Sequence, residues 1–372
     1  MKENWTYKKL GEVCDIYQPQ TISTEMLVPD GEYLVYGANG VIGRYDKYNH
    51  TESEVLLTCR GATCGSINVS APYSWINGNA MVIHPIDDSV FCSRSFLVYL
   101  MKSIDYSLVI TGAAQPQITR QKLSPVKIAI PPIETQSRIV SELDLLQSII
   151  DKQKAQLREL DNLAQAVFYY MFGDPVENEK GWDKKMIKEI ARVKIGPFGS
   201  LIHTSDYVIG GTPIVNPIHM KNGQIYPDNN FTISDEKKKE MESYLLKKGD
   251  VVFARRGEIG RCAIVSEKED GYLCGTGSLF VRFIETINEV FVLYLTKSES
   301  FINELVSKAK GATMLNINCG IVEDLQLSIP PISLQQSFAA KIESIEKQKA
   351  AISQSIAETQ RLFDYTMDKY FG

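Results

Sequence analysis

The sequence predicts an α+β protein written twice: two globular domains with mixed twisted sheets, joined by two long helices that pair as an antiparallel coiled coil. Three observations predict it. A block of the chain recurs at a constant offset, a long segment without Gly or Pro closes each copy, and short apolar runs broken by turn residues fill the space between.

The repeat is the strongest signal. Residues 128–133 read IAIPPI and residues 327–332 read LSIPPI, an offset of 199. The same offset carries Gly112-Ala113 onto Gly311-Ala312, Ile118 onto Ile317, Gln136 onto Gln335 and Phe172-Gly173 onto Phe371-Gly372. It also places Gly78 with Met81-Val82 on Gly277 with Phe280-Val281. Nearer the start of each copy the offset is smaller: Trp5-x4-Leu10-x-Glu12-Val13 matches Trp182-x4-Ile187-x-Glu189-Ile190, and Arg60-Gly61 matches Arg256-Gly257. The extra length of the second copy therefore lies early in it.

Each Pro-Pro opens a helix, where the missing proline N–H is no loss. In the first helix apolar residues step by four and three through Ile139, Leu143, Leu146, Ile150, Leu157, Leu160, Ala164, Val167 and Met171. In the second the equivalent positions are Phe338, Ile342, Ile345, Ile352, Ile356, Phe363 and Tyr370. This alternation is a coiled-coil seam. Gln153, Lys349, Thr359 and Thr366 are its polar positions, suited to setting register or facing a partner. Two ordinary amphipathic helices in separate domains are the plainer alternative, and the matched register favours mutual pairing. Between the helices, EVLLTCRG, AMVIHP, KGDVVFARRG and SLFVRF read as strands bounded by turns. The expected division is a globule over 1–131, a helix over 132–173, a second globule over 174–330 and a second helix over 331–372. Two such units predict an internal pseudo-two-fold repeat, a geometry that matches the two-fold axes of a DNA duplex.

Composition limits the function. Forty Lys and Arg against 45 Asp and Glu leave a net charge of −5 and a pI near 5.6, and none of the four segments is basic overall. DNA binding therefore requires local clusters or a basic partner. No apolar run reaches the roughly 18 residues of a membrane span, and MKENWTYKKL lacks the apolar core of a signal peptide. Seven cysteines without CxxC spacing fit reduced thiols, so a cytoplasmic protein is expected.

In their order along the chain, the paired W-x4-L-x-E-V-type starts, KGDVVFARRG with Arg255-Arg256-Gly257, GAAQPQI at 112–118 and the IPPIETQ-type helix entry resemble the specificity subunit of type I restriction-modification enzymes. The resemblance covers the whole chain. It implies that the globules are target-recognition domains, each reading one half of a bipartite, asymmetric site in double-stranded DNA. It implies also that the helices dock two adenine methyltransferase subunits and that restriction (motor-nuclease) subunits join them. S-adenosylmethionine, ATP and Mg are then expected in those partners, with no cofactor, metal site or catalytic residue in this chain. The second copy departs from the first at GATMLNI (311–317), where Met314 stands in place of Gln115, so a contact in one unit need not transfer to the other.

Candidate DNA contacts follow from residue type. Arg255, Arg256 and Arg261 follow a strand beside Gly257 and Gly260; glycine admits a close phosphate and Arg suits guanine. Arg60, with Thr58, is the equivalent in the first unit. Gln115 and Gln117 flank Pro116, and Gln suits adenine edges, with Asn316 and Asn318 in the matching stretch. Ordinary turn chemistry and surface ion pairs are the competing explanations. Lys184, Lys185 and Lys188, and the run Lys237-Lys238-Lys239, read as solvated faces.

Catalytic motifs are missing. Asn216-Pro217-Ile218-His219 lacks the second proline and the aromatic of an amino-methyltransferase loop, and no GxGxxG or Walker A sequence occurs. DEKKKE at 235–240 has no strand around it to build a nuclease site. His50, His84, His203 and His219 are isolated, and Cys59, Cys64, Cys262 and Cys274 lack paired zinc spacing. A self-sufficient DNA-modifying enzyme is thereby disfavoured. A coiled-coil scaffold that reads no DNA remains the alternative, kept open by the acidic balance.

Overall fold

A computed structural model of the chain describes residues 4–112, 115–198, 201–309 and 316–372. The first copy runs β1 (Thr6–Lys9), α1 (Leu10–Val13), β2 (Cys14–Tyr17), β3 (Tyr33–Gly37), β4 (Gly40–Tyr45), β5 (Val55–Thr58), β6 (Ile67–Val69), β7 (Trp75–Ile76), β8 (Ala80–Pro85), α2 (Arg94–Ser103), α3 (Arg120–Leu123), β9 (Lys127–Ile130) and the long α4 (Ile133–Phe172). The second runs β10 (Asp183–Met186), α5 (Ile187–Ile190), β11 (Ala191–Ile195), β12 (Tyr207–Val208), β13 (Thr212–Val215), β14 (Met220–Lys221), β15 (Gln224–Ile225), β16 (Thr232–Ile233), α6 (Asp235–Glu240), β17 (Val251–Ala254), β18 (Cys262–Ile264), β19 (Leu273–Cys274), β20 (Ser278–Phe283), α7 (Glu289–Thr296), α8 (Glu299–Lys308), α9 (Cys319–Glu323), β21 (Gln326–Ile329) and the long α10 (Ile332–Phe371).

The chain divides into two compact units, one of residues 1–154 with 354–372 and one of residues 155–353. The cuts fall inside α4 and α10, because each helix gives one half of its apolar face to each unit's core. The expected α+β class, with two similar mixed-sheet units and a pair of long helices, is what the structure has.

The first unit is built on the sheet β2-β8-β5-β6 and the second on β11-β20-β17-β18, the same order in matching strands. Val55, Leu56, Leu57 and Thr58 of β5 are all buried, as are Val251, Val252, Phe253 and Ala254 of β17. An unbroken run of buried residues, apolar except for Thr58, suits a central strand covered on both faces. The second sheets are mixed: β3 pairs β4 antiparallel and β7 parallel, and β13 pairs β16 antiparallel and β19 parallel. β1 closes on β9 and β10 on β21, which fastens the start of each copy beside the entry to its long helix.

In the first unit Ile139, Leu143 and Ile150 of α4 share a core with Phe363 and Tyr370 of α10. In the second, Ala164, Phe168 and Phe172 of α4 share a core with Phe338, Ile342 and Ile345 of α10. The polar contacts give the direction. Within the first unit Tyr370 Oη donates to Glu142 and Gln153 Nε2 to Ser355 Oγ, so the partner number falls as the α4 number rises. The helices are antiparallel.

Leu146, Leu157, Leu160, Ile352 and Ile356 are half-buried, while flanking positions such as Leu145, Leu163 and Leu362 are exposed. Phe168 and Phe172, off the three-four spacing, are fully packed, with ring centroids 5.7 and 5.3 Å from Phe338. They face the globule as well as the partner helix, which widens the stripe beyond a two-helix seam. At the polar positions, Lys349 Nζ meets Asp161 at 2.7 Å and Glu346 at 2.8 Å, while Thr359 and Thr366 hydroxyls return to their own helix backbone. No helix among the described residues is long and apolar enough to cross a membrane.

Candidate nucleic-acid interface

In both units the central strand runs into a loop that lies against the loop ahead of the last short helix. After β17, the Arg255 amide donates to the Gly277 carbonyl and the Arg255 carbonyl accepts from the Ile317 amide, each at 3.0 Å. Arg256 forms a β-bridge with Asn316. After β5, the Cys59 amide donates to the Asn79 carbonyl at 3.2 Å and the Cys59 carbonyl accepts from the Ile118 amide at 3.0 Å. Arg60 forms a β-bridge with Gln117. Residues far apart in sequence, chosen on residue type alone, are thus brought side by side at matching places in the two frames.

The side chains on these frames differ. Arg255 is 7% exposed and its Nε donates to Asn316 Oδ1 at 3.3 Å. Burial, reinforced by the neighbouring Arg256, pushes the Arg255 guanidinium below its ordinary value. Its counterpart in the first unit is the buried Cys59, with Gln18 Nε2 donating to the Sγ at 3.2 Å and to the Gly78 carbonyl at 2.8 Å. Arg256 and Arg60 are exposed, and each is followed by a glycine with positive φ. Arg261 is tied down, its Nη1 donating to the Pro217 carbonyl at 3.0 Å and its Nη2 paired with Glu258.

In the other loop, Gln115 is exposed and Gln117 half-buried, with Gln117 exchanging backbone hydrogen bonds with Thr111 at 2.8 and 2.9 Å. The Gly112 φ of +87° allows the chain to fold back here, where a Cβ would press on the Gln115 carbonyl. Asn316 is half-buried against Arg255 and Arg256. Asn318 caps α9, its Oδ1 accepting from the Ile321 amide at 3.0 Å, as Thr119 caps α3. That oxygen is spent on the turn. Met314 and the rest of 310–315 lie outside the described residues.

Further loops close around each frame, with residues that the sequence does not mark as DNA contacts. In the first unit the β3–β4 hairpin tip delivers Asn39 to the Thr63 hydroxyl and the Ala38 carbonyl to the Thr58 hydroxyl. The Asn39-Gly40 pair was the available signal, since Asn-Gly marks a hairpin turn. In the second unit Gly196 packs on Gly275 so closely that a Cβ would collide with the Gly275 carbonyl. Exposed Phe198 and Ile218 flank this packing, on the loops that reach Gly275 and Arg261. Of the six lysines read as solvated faces, three carry ion pairs, Lys185 with Glu285, Lys188 with Asp324 and Lys237 with Glu240, and Lys184 Nζ donates to the Val176 carbonyl. Among the described residues no group of three or more His, Cys, Asp or Glu could hold a metal ion.

A family model described as the type I restriction modification DNA specificity domain matches residues 2–162 and again 179–360. The type I restriction enzyme MjaVIII specificity subunit of Methanocaldococcus jannaschii is 20% identical to this chain, covering 92% of it and 86% of its own length. The MjaIX specificity subunit of the same organism is 24% identical over 78% of this chain and 70% of its own length. The crystal structure of a type I restriction-modification S subunit from M. genitalium superposes over 99% of this chain and 96% of its own, with a TM-score of 0.57 at 14% identity. A chain from a study of complex assembly and conformational transition in the type I system covers 99% and 97%, with a TM-score of 0.60 at 18% identity. These structures share the fold.

Proposed function

This chain belongs to the type I restriction-modification DNA specificity family, and from that premise we propose that each unit reads one half of a bipartite, asymmetric site in double-stranded DNA. The observation that carries the proposal is the matched pair of bridges, Arg60 with Gln117 and Arg256 with Asn316. Equivalent frames offer DNA the same approach in both units. Different residues on them read different bases: Arg suits guanine, while Gln and Asn suit adenine. Arg60, Arg256, Gln115 and Asn318 are the exposed members, though Asn318 spends its side-chain oxygen on capping α9; Arg255 and Asn316 support the loop from beneath, and Arg261 holds its end.

The long helices dock two adenine methyltransferase subunits, and restriction (motor-nuclease) subunits complete the assembly. S-adenosylmethionine, ATP and Mg belong to those partners, and this chain adds no catalytic group. With a net charge of −5, it relies on them for part of the phosphate contact. The assembly works in the cytoplasm.

A single-molecule methylome of a host carrying this gene and its neighbours, compared with a deletion of this gene alone, tests the reading. Loss of a gapped, two-part adenine-methylation motif supports it. An unchanged methylome with the methyltransferase expressed favours the second reading, a helical scaffold that reads no DNA, which the acidic balance favours. Salt separates the two: DNA binding weakens steeply as salt rises, by roughly one power of salt per phosphate contact.

A further inference from the structure

The two units fill equivalent places beside their frames with side chains of opposite character. In the second unit two loops close on Gly275. A Cβ on Gly275 would collide with the Asn216 side chain, and a Cβ on Gly196 with the Gly275 carbonyl. Ile218 follows the first of these contacts and Phe198 the second, each two residues on. They are 69% and 65% exposed. Both loops belong to the candidate interface. The Pro217 carbonyl accepts from Arg261 Nη1 at 3.0 Å, a Cβ on Gly277 would press on Pro217, and the Gly277 carbonyl holds the Arg255 amide.

Backbone pairing fixes the equivalence. The Gly275 amide donates to the Val215 carbonyl as the Asn77 amide donates to the Tyr36 carbonyl, each at 2.9 Å, so Ile218 stands where Asn39 stands. Phe280 pairs with Lys194 and Val252, as Val82 pairs with Tyr17 and Leu56, so Phe198 stands where Thr21 stands. The first unit's side chains there are polar and engaged. Asn39 Oδ1 accepts from the Thr63 hydroxyl, and Thr21 Oγ1 accepts from the Gly78 amide at 3.1 Å. Ile218 and Phe198 offer no polar side-chain atom, and they gain free energy only when an apolar group covers them.

A DNA duplex presents one such group. In the major groove thymine alone carries a methyl, while the other base edges show donors and acceptors. We propose that Ile218 and Phe198 read thymine through its C5 methyl in the second unit's half-site, a contact that Asn39, at the matching place in the first unit, does not offer. The proposal rests on the DNA reading above and adds to it the base and the group recognised.

The test uses the chain assembled with its methyltransferase subunits and duplexes carrying the gapped site that the methylome defines. Each thymine of the site, on either strand, is replaced in turn by deoxyuridine, which removes the methyl alone, and affinity is measured by fluorescence anisotropy at fixed salt. Affinity is expected to fall about fourfold at one or more thymines, the size of one buried methyl. Ile218→Asn or Phe198→Thr, each installing the first unit's residue, should erase the effect at such a thymine and weaken binding to the unmodified site by a similar factor. The salt slope should stay unchanged, since no phosphate contact is lost. Both positions are exposed, and thermal unfolding confirms that the variants fold. Specific binding with no thymine affected overturns this proposal alone, as does an effect that survives in both variants. Loss of methyltransferase co-purification with the thymine effect intact also overturns it, giving the apolar pair to a protein partner. A complex that binds no duplex by sequence overturns the DNA reading itself, and this proposal with it.

Discussion

Arg282 grips Asp250 with two nitrogens, Nε at 2.8 Å from Oδ1 and Nη2 at 2.7 Å from Oδ2. The pair sits at the lip of the β17–β20 ladder, with the Asp250 side chain only 1% exposed. Glu54 and His84 hold the same place beside β5 and β8, with Nδ1 at 3.0 Å from Oε2. Removing one member of a buried pair leaves the other charge uncompensated. Arg282→Ala is expected to destabilise the second unit by about 3 kcal/mol, whereas Asp250→Leu with Arg282→Met, which removes both charges, recovers most of it. Chemical denaturation of the two variants checks this, and a single variant within about 0.5 kcal/mol of the parent, the range of an ordinary surface change, would sink it.

That correspondence was not legible in the sequence. Asp with Arg and Glu with His share chemistry but no identity, and the two strands carry different offsets. What was legible rested on long or strongly patterned segments: both long helices, and the strands within EVLLTCRG, AMVIHP, KGDVVFARRG and SLFVRF. Two-residue strands such as β12, β14 and β16 are too short for any periodicity to register. In the candidate interface, residue type pointed to Arg60, Gln117, Arg256 and Asn316, and only the fold pairs them. It could not tell buried Arg255 from exposed Arg256, because both follow the same strand and burial there depends on Asn316, sixty-one positions away.

Gln136 and Gln335 do corresponding work at the two helix entries, Gln136 with one more donated bond. Gln136 Oε1 accepts from the Cys92 amide while Nε2 donates to the Val90 and Pro131 carbonyls; Gln335 Oε1 accepts from the Asn288 amide while Nε2 donates to the Pro330 carbonyl. Both side chains are buried, so truncation strands backbone groups away from water. Gln136→Ala and Gln335→Ala should each cost about 2 kcal/mol, with Glu in place of Gln no better because a buried carboxylate cannot donate. Thermal unfolding decides it, and a Glu variant as stable as the parent would count against the role.

The two arginines after β17 should separate cleanly. Arg256→Ala is expected to weaken DNA binding by the assembled complex while leaving unfolding unchanged; if its contact is a phosphate, the salt slope falls by about one. Arg255→Ala should lower stability by about 1–3 kcal/mol, since it leaves Asn316 without its partner, and affect DNA only through the loop. Equal loss of affinity for both variants at equal stability would refute the assignment of reading to one and support to the other.

The seam can be broken without touching either sheet. Leu146 packs against the first unit's core and Ile345 is buried in the second, so Leu146→Asp with Ile345→Asp places a carboxylate in each half of the helix pair. Methyltransferase co-purification is expected to fail before either globule unfolds. Normal co-purification by the double variant would show that the partner does not depend on the paired helices.

Acid should loosen the turn that follows α4. Burial alone would raise the Asp174 carboxyl, but the Glu177 amide, the Ser300 hydroxyl and the Val176 amide more than offset it and hold it below the ordinary 3.8. For a carboxyl with a depressed folded value, the stabilisation is fully present above the unfolded value and disappears as pH falls through the folded one. The melting-temperature gap between the parent and Asp174→Asn should therefore be constant from neutral pH down to about pH 4 and close below it. Trp182 reports the same event, because its indole N–H is bonded to Phe172 and its amide to Asn178 across that turn. A gap that instead narrows between pH 7 and 5 would assign the effect to another group.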